Sequence, residues 1–226
     1  MPAHLEGRNG GNSFGSEWAD VDSDGDLDLF VINAFGGGSW RNFLFRNVGS
    51  GAFERDLGAV LATDEGWSYG AAFGDFDRDG DPDLAVANCL NASQTNYLYE
   101  NHAAETTNRW LVVECSGTTS NRSAIGAKVR ITAAINGQSV TQLREISAQS
   151  GYCGQHQLAP RFGLGDTQTV ESIAVEWPSG TEQIFGNITV DQYVTLTEGE
   201  DISSVIMPKG PAGMTLYPPA PSSTLF

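Results

Sequence analysis

"ADVDSDGDLDLFV", Ala19 to Val31, and "GDFDRDGDPDLAV", Gly74 to Val86, repeat one pattern fifty-five positions apart. Each sets five aspartates at alternate positions inside an apolar frame. Carboxylates gathered that closely repel one another unless a cation stands among them. The likeness extends outward. "GSEWADVDSDGDLDLFVIN" aligns with "GAAFGDFDRDGDPDLAVAN", and "RNFLFRN" with "TNYLYEN", so Gly15 to Asn47 lies over Gly70 to Asn101. A repeat of this period indicates an array of supersecondary units. In each unit "SEWADVD" or "AAFGDFD" reads as a first strand, "LDLFVIN" or "PDLAVAN" as a second, and "NFLFRN" or "NYLYEN" as a third. Short strands joined by Gly- and Asn-rich turns make a propeller blade or a sheet of a sandwich.

The D-x-D-x-D-G spacing matches the first half of an EF-hand loop, where a tight turn folds alternate carboxylates onto one ion. The match then ends. Counting from Asp20 or Asp75, the twelfth position holds Val31 or Val86 where a bidentate glutamate is needed, and the flanks are strands. What remains is a calcium loop between two β-strands, closed by an aspartate at its ninth position. Asp20, Asp22, Asp24 and Asp28 are expected to give side-chain oxygens, as are Asp75, Asp77, Asp79 and Asp83 in the second copy. Asp26 and Asp81 are expected to offer backbone carbonyls, and Gly25 and Gly80 to take the conformation that other residues resist. Hard oxygens without His or Cys disfavour zinc and copper, and a flexible, ligand-rich loop suits calcium better than magnesium. Two Ca²⁺ sites are expected.

The remaining sequence bounds the class. With 226 residues, 40% hydrophobic and 27 of them glycine, the chain is ordered and turn-rich. A formal charge of -16 argues against a nucleic-acid partner. No stretch approaches the length of a membrane span, so no membrane insertion is expected. From Asn108 the runs "RWLVVEC", "AKVRITAAI", "SVTQLREISA", "VESIAVEW", "TEQIFGNI" and "QYVTLTE" alternate with the turns "SGTTSNRS", "NGQ", "GLGDTQ" and "PSG". This is a second all-β domain, most simply a sandwich. The expected organisation is a leader or truncated blade over 1–13, two calcium-binding blades over 14–104, a β-sandwich over 105–200, and a Pro-rich tail over 201–226.

These residues resemble two known families. The repeats are similar to FG-GAP or VCBS repeats, the calcium-loop blades of integrin-type β-propellers. "NRWLVVE", "SNRSAIGAKVRI", "QLREISAQSGYCGQ", "FGLGD", "VEWPSG" and "TLTE" resemble an ASPIC/UnbV domain across nearly the whole second region. The layout resembles that of the cartilage acidic protein-like family and its bacterial relatives. The resemblance implies an all-β fold of propeller blades plus sandwich, an extracellular setting, an adhesive or matrix-associated role, and no catalytic site. Two repeats are fewer than a closed propeller needs, and no export signal precedes them, so the chain is expected to be a fragment of a longer secreted protein or to associate through its blades.

Other candidates carry less. Cys153 and His156 stand three residues apart in "GYCGQHQ" without a third group to orient the imidazole, so a nucleophile pair is not expected. His4 and His102 fall in expected loops. Trp177 of "WPSG" is expected in the sandwich core, and "FGLGD" precedes no helix that could bind phosphate. Cys89, Cys115 and Cys153 leave one disulfide open without saying which. Asn91, Asn121 and Asn187 begin N-x-S/T triplets. Phe30, Phe43, Phe45, Phe73, Tyr97 and Tyr99 are expected to form the blade faces and the contact between blades. The leading function is therefore a non-enzymatic, calcium-stabilised binding or adhesion module for a protein or glycan. One alternative is a polysaccharide-acting enzyme or its accessory domain, with Trp40 and Trp67 lining a sugar cleft. The other is a structural subunit that self-associates through open blade edges.

Overall fold

Alternating apolar positions become strands with one buried face. In Lys128–Ile135 the residues Val129, Ile131, Ala133 and Ile135 are buried while those between them face outward. A computed structural model describes residues 12–35, 40–89, 94–102 and 107–205. Among these residues the fold is all-β, with a single 3₁₀ turn at Val60–Ala62.

The first blade is an antiparallel meander of β1 (Asn12–Ala19), β2 (Asp28–Ala34), β3 (Phe43–Asn47) and β4 (Phe53–Asp56). The second has β5 (Ser68–Gly74), β6 (Asp83–Asn88) and β7 (Tyr97–Tyr99) in the same order, without a fourth strand among the described residues. Val21, Phe30, Ile32, Leu44, Phe73, Leu84, Val86 and Tyr99 form a core between the blades, with Tyr97 packed against it. Phe43 and Phe45 do not join it. Strand alternation turns them to the other face of the first blade, where they are buried with Leu29 beside Val31 and Phe53. There the Arg55 guanidinium lies 4.0 Å above the Phe43 ring.

Two four-stranded sheets form the sandwich. One runs β10-β9-β12-β13, from β9 (Lys128–Ile135), β10 (Gln138–Glu145), β12 (Thr169–Glu176) and β13 (Glu182–Thr189). The other runs β11-β8-β14-β15, from β8 (Arg109–Ser116), β11 (Arg161–Gly165), β14 (Gln192–Thr197) and β15 (Ser203–Val205), with β14 parallel to β8. Leu111, Ile131, Phe162, Leu164, Ile173, Val194 and Trp177 fill the space between them. Trp177 is thus a core residue, as its setting suggested. Two expectations need correction. Gly163–Gly165 belong to β11, paired with β8, rather than to a turn, and glycine stands at 163 because neighbouring groups press too closely there for a side chain. The expected tail begins with β15, which pairs with β14, and its residues beyond 205 lie outside those described.

Just past β14, Glu198 ties three segments of the sandwich together. Its Oε2 accepts hydrogen bonds from the backbone N–H groups of Thr118, Thr119 and Ser120 at 2.9, 2.8 and 2.7 Å, and its Oε1 from the hydroxyls of Ser120 and Ser179. Burial pushes its pKa up, but hydrogen bonds from Ser179, Ser120 and Thr118 outweigh that and hold it at about 2. Its contribution to stability is complete above the ordinary value of 4.5 and is lost as pH falls toward 2. Glu198→Gln is therefore expected to lower the melting temperature by a few degrees at pH 7, and the gap from the parent should close between pH 4.5 and 2. Thermal melts across that range check it.

The connection from Glu145 to Arg161 leaves the sandwich and crosses both blades. Gln157 N–H donates to Phe73 O at 3.1 Å, Phe73 N–H to His156 Nδ1 at 3.1 Å, and Asp75 N–H to Gln157 Oε1 at 2.9 Å. These bonds cover the free edge of β5, which is otherwise open to another chain. Gly70 permits the approach, since a Cβ there would lie 2.8 Å from Cys153 O. On β1, Glu17 is buried with its Oε2 3.3 Å from His156 Nε2. Burial raises the Glu17 pKa to about 7.

Candidate metal centres

The two aspartate loops fold alike. In the first, Asp20 accepts the N–H of Asp24 (3.1 Å) on Oδ1 and of Gly25 (3.0 Å) on Oδ2, closing the turn around its own first residue. In the second, Asp75 accepts the N–H of Asp79 (3.1 Å) and of Gly80 (2.9 Å) in the same way. The turn needs left-handed backbone twice in each copy, at Ser23 and Gly25 (φ 63° and 103°) and at Arg78 and Gly80 (φ 63° and 101°). The glycines were legible from sequence, and the strained Ser23 and Arg78 were not.

Carboxylate oxygens of Asp20, Asp22 and Asp28 come within 4.8 Å of one another, as do those of Asp75, Asp77 and Asp83. Oxygens on opposite sides of a calcium ion, with bonds of about 2.4 Å, stand about 4.8 Å apart. Asp24 and Asp79 lie outside these triplets, each accepting the N–H two residues on, from Asp26 and Asp81 at 2.9 Å. The Asp81 side chain turns toward Arg161 at 3.5 Å. Asp22 Oδ1 is buried and has no hydrogen-bond partner, which leaves an acceptor for a cation. The donor set is all hard oxygen, and it fits calcium.

Electrostatics agree. Burial raises Asp20 to about 7, opposed by Arg161 and reinforced by Asp24, Asp22 and Asp28. Burial likewise raises Asp28 and Asp79 to about 6 and Asp83 to about 8, and lifts Asp24 and Asp75. Buried carboxylates of one sign hold their charge poorly without a cation.

Residues beyond the motif hold the loops. Asn47 N–H donates to Asp28 Oδ1 (2.7 Å) and Asn101 N–H to Asp83 Oδ1 (2.8 Å), so the last residue of each "RN" or "EN" pins the closing aspartate. Their recurrence in the aligned repeat was the only sequence signal for this role. The sandwich then reaches in. Tyr193 OH donates to Asp75 Oδ2 at 2.5 Å, Asn108 Nδ2 to Asp22 O at 2.9 Å, and Gly165 N–H to Ser23 O at 2.9 Å. Arg161 donates to the carbonyls of Asp20 and Gly80 and to Ser23 Oγ. None of these partners announces itself locally in the sequence.

The lesser candidates resolve as follows. His156 is a docking residue through Phe73 and Glu17, while Cys153 is exposed, and Cys89, Cys115 and Cys153 are all free thiols. Trp40 and Trp67 meet edge to face at 5.6 Å and 81°, in a ring cluster with Phe35, Tyr69, Phe14 and Tyr152, and form no flat row for a sugar. The Asn121 side chain is bonded twice to the Ile125 backbone. Asn91 and His4 lie outside the described residues. No helix among the described residues is long and apolar enough to cross a membrane.

Comparison with known proteins matches the same two parts. Residues 20–86 fit the FG-GAP-like repeat, and residues 117–203 fit the family described as ASPIC and UnbV. Human cartilage acidic protein 1 is 29% identical over 207 residues, which is 90% of this chain and 29% of that protein. The Xenopus tropicalis protein of that name is 32% identical over 167 residues (72% of this chain, 25% of the relative), and the mouse protein 31% over 166 residues (72% and 25%). The chain spans less than a third of the length of these relatives. It carries an FG-GAP-like repeat region followed by an ASPIC and UnbV domain, and across both it is homologous to cartilage acidic protein 1.

Proposed function

We propose that the chain is a non-catalytic, calcium-loaded binding or adhesion module that works outside the cell, where millimolar calcium is available. The observation that carries the calcium reading is the pair of converging triplets, Asp20–Asp22–Asp28 and Asp75–Asp77–Asp83, built with the same hydrogen bonds and leaving Asp22 Oδ1 buried and unpaired. Bound calcium neutralises the loops and fixes the blade turns against the sandwich. Asp20 and Asp28 accept backbone N–H groups on both oxygens, a commitment that suits holding an ion better than moving protons. The partner is a protein or glycan. The outward face of the first blade, where Trp18 is 46% exposed beside Phe53, is where a neighbouring blade or second copy would add.

Calorimetric titration with calcium chloride tests the reading. Two ions per chain are expected, falling to one in Asp28→Asn, with magnesium at the same concentration giving much weaker binding. Absence of calcium binding in the parent chain would remove the basis of the proposal.

A further inference from the structure

We infer that the two loops bind calcium cooperatively, coupled by Arg161 and Asn101, so that loading one raises the affinity of the other; this rests on the calcium reading above. Arg161 opens β11 with its side chain only 8% exposed. Its planar guanidinium holds both loops at once. On the first loop Nη1 donates to Asp20 O (3.0 Å) and Nη2 to Ser23 Oγ (2.7 Å). On the second, Nε donates to Gly80 O, and Nη2 stands 3.5 Å from Asp81 Oδ1. One rigid fork thus fixes positions one and four of one loop and six and seven of the other. A lysine has no such geometry.

Asn101 makes the second link. Its N–H holds the ligand carboxylate Asp83, while its Nδ2 donates to Val21 O at 2.8 Å, and Val21 N–H in turn holds Asp28 Oδ2 at 2.9 Å. The closing aspartates of the two loops are therefore joined through one side chain and one backbone residue. Both asparagines direct Nδ2 to the carbonyl before the closing aspartate of their own loop, Asn47 to Leu27 O at 3.2 Å and Asn101 to Pro82 O at 3.4 Å, and the shorter bond to Val21 O is the one by which Asn101 reaches the other loop.

The sign of the coupling follows. Without calcium the carboxylates of each loop push apart, and Arg161 must be ordered against two loose partners. The first ion fixes one loop, and with it Arg161 and Val21, so the second ion meets a partner already ordered. Direct repulsion between the two ions opposes this coupling and is reduced by solvent screening, so the titration reads the net of the two effects.

The test is calcium titration of the full chain by calorimetry, repeated in Asp77→Asn to cripple the second loop, and in both backgrounds with Arg161→Lys. The expected result is that Asp77→Asn weakens the first loop about tenfold with Arg161 present and by about threefold or less in R161K, where only the Asn101 link remains. If both loops bind calcium and Asp77→Asn leaves the first loop's affinity unaltered in the parent, the coupling is overturned while the calcium reading stands. If neither loop binds, both fall together. Should R161K fail to fold, Ser23→Ala replaces it; the coupling is then expected to drop to about threefold or less, and an undiminished tenfold effect overturns the role of Arg161.

Discussion

Chelation of calcium at pH 7.5 is expected to lower the melting temperature of the chain by about 10–20 °C. At free calcium one hundred times the dissociation constant, each site contributes about 2.7 kcal/mol, and a chain of this size shifts by about 2–4 °C per kcal/mol. The effect depends on pH in a definite direction. Asp20 and Asp83 are raised to about 7 and about 8 from 3.8, mainly by burial, so between those values the ion-free folded chain binds more protons than the unfolded one. Its stability then rises as pH falls through that window, while protons compete with calcium for the same oxygens. The gap between calcium and chelator curves is expected to be widest near pH 8 and to narrow by pH 5. Superimposable melting curves at pH 7.5 would refute it.

Gly163→Ala is expected to destabilise the chain by about 3 kcal/mol, near the upper end for overpacking. Gly163 lies in β11 opposite Trp110, and its carbonyl accepts from Gln142 Nε2 at 2.6 Å, so the backbone cannot move aside without breaking the sheet. A Cβ there would fall on the Asp20 carboxylate and lie 2.6 Å from Ser23 Cα. Either the sandwich retreats from the first loop or Asp20 swings away from the N–H groups of Asp24 and Gly25. In both cases calcium affinity at that loop falls about tenfold or more, as when a supporting contact of a metal ligand is lost. Gly186→Ala, whose Cβ would meet nothing nearer than Glu171 O at 3.4 Å, is the control and should change stability by less than about 1 kcal/mol. Urea unfolding and calcium titration of both variants decide it.

The aspartate loops were legible because their chemistry is local: five carboxylates within nine residues, written twice, leave few alternatives. Six sandwich strands were legible for a similar reason, since alternation and turn residues act over short range. β11 was missed because its glycines read as breakers, and their reason, the Asp20 carboxylate, lies on another domain. Arg161 was missed because its partner Asp20 is 141 residues away and nothing around "PRFG" marks a charge as buried. Asn47 and Asn101 were half visible, as identical letters at one place in the repeat whose task shows only in three dimensions.

The β5 edge has a consequence during synthesis. Phe73 waits for His156, 83 residues further on, before its N–H finds the imidazole. At about 5–20 residues per second, a ribosome takes roughly 4–17 s to deliver that partner. Throughout that interval the nascent second blade offers an unpaired strand edge to any other emerging chain. Slower translation between residues 74 and 156 is therefore expected to raise the fraction of product that aggregates, and a chaperone that shields strand edges to lower it.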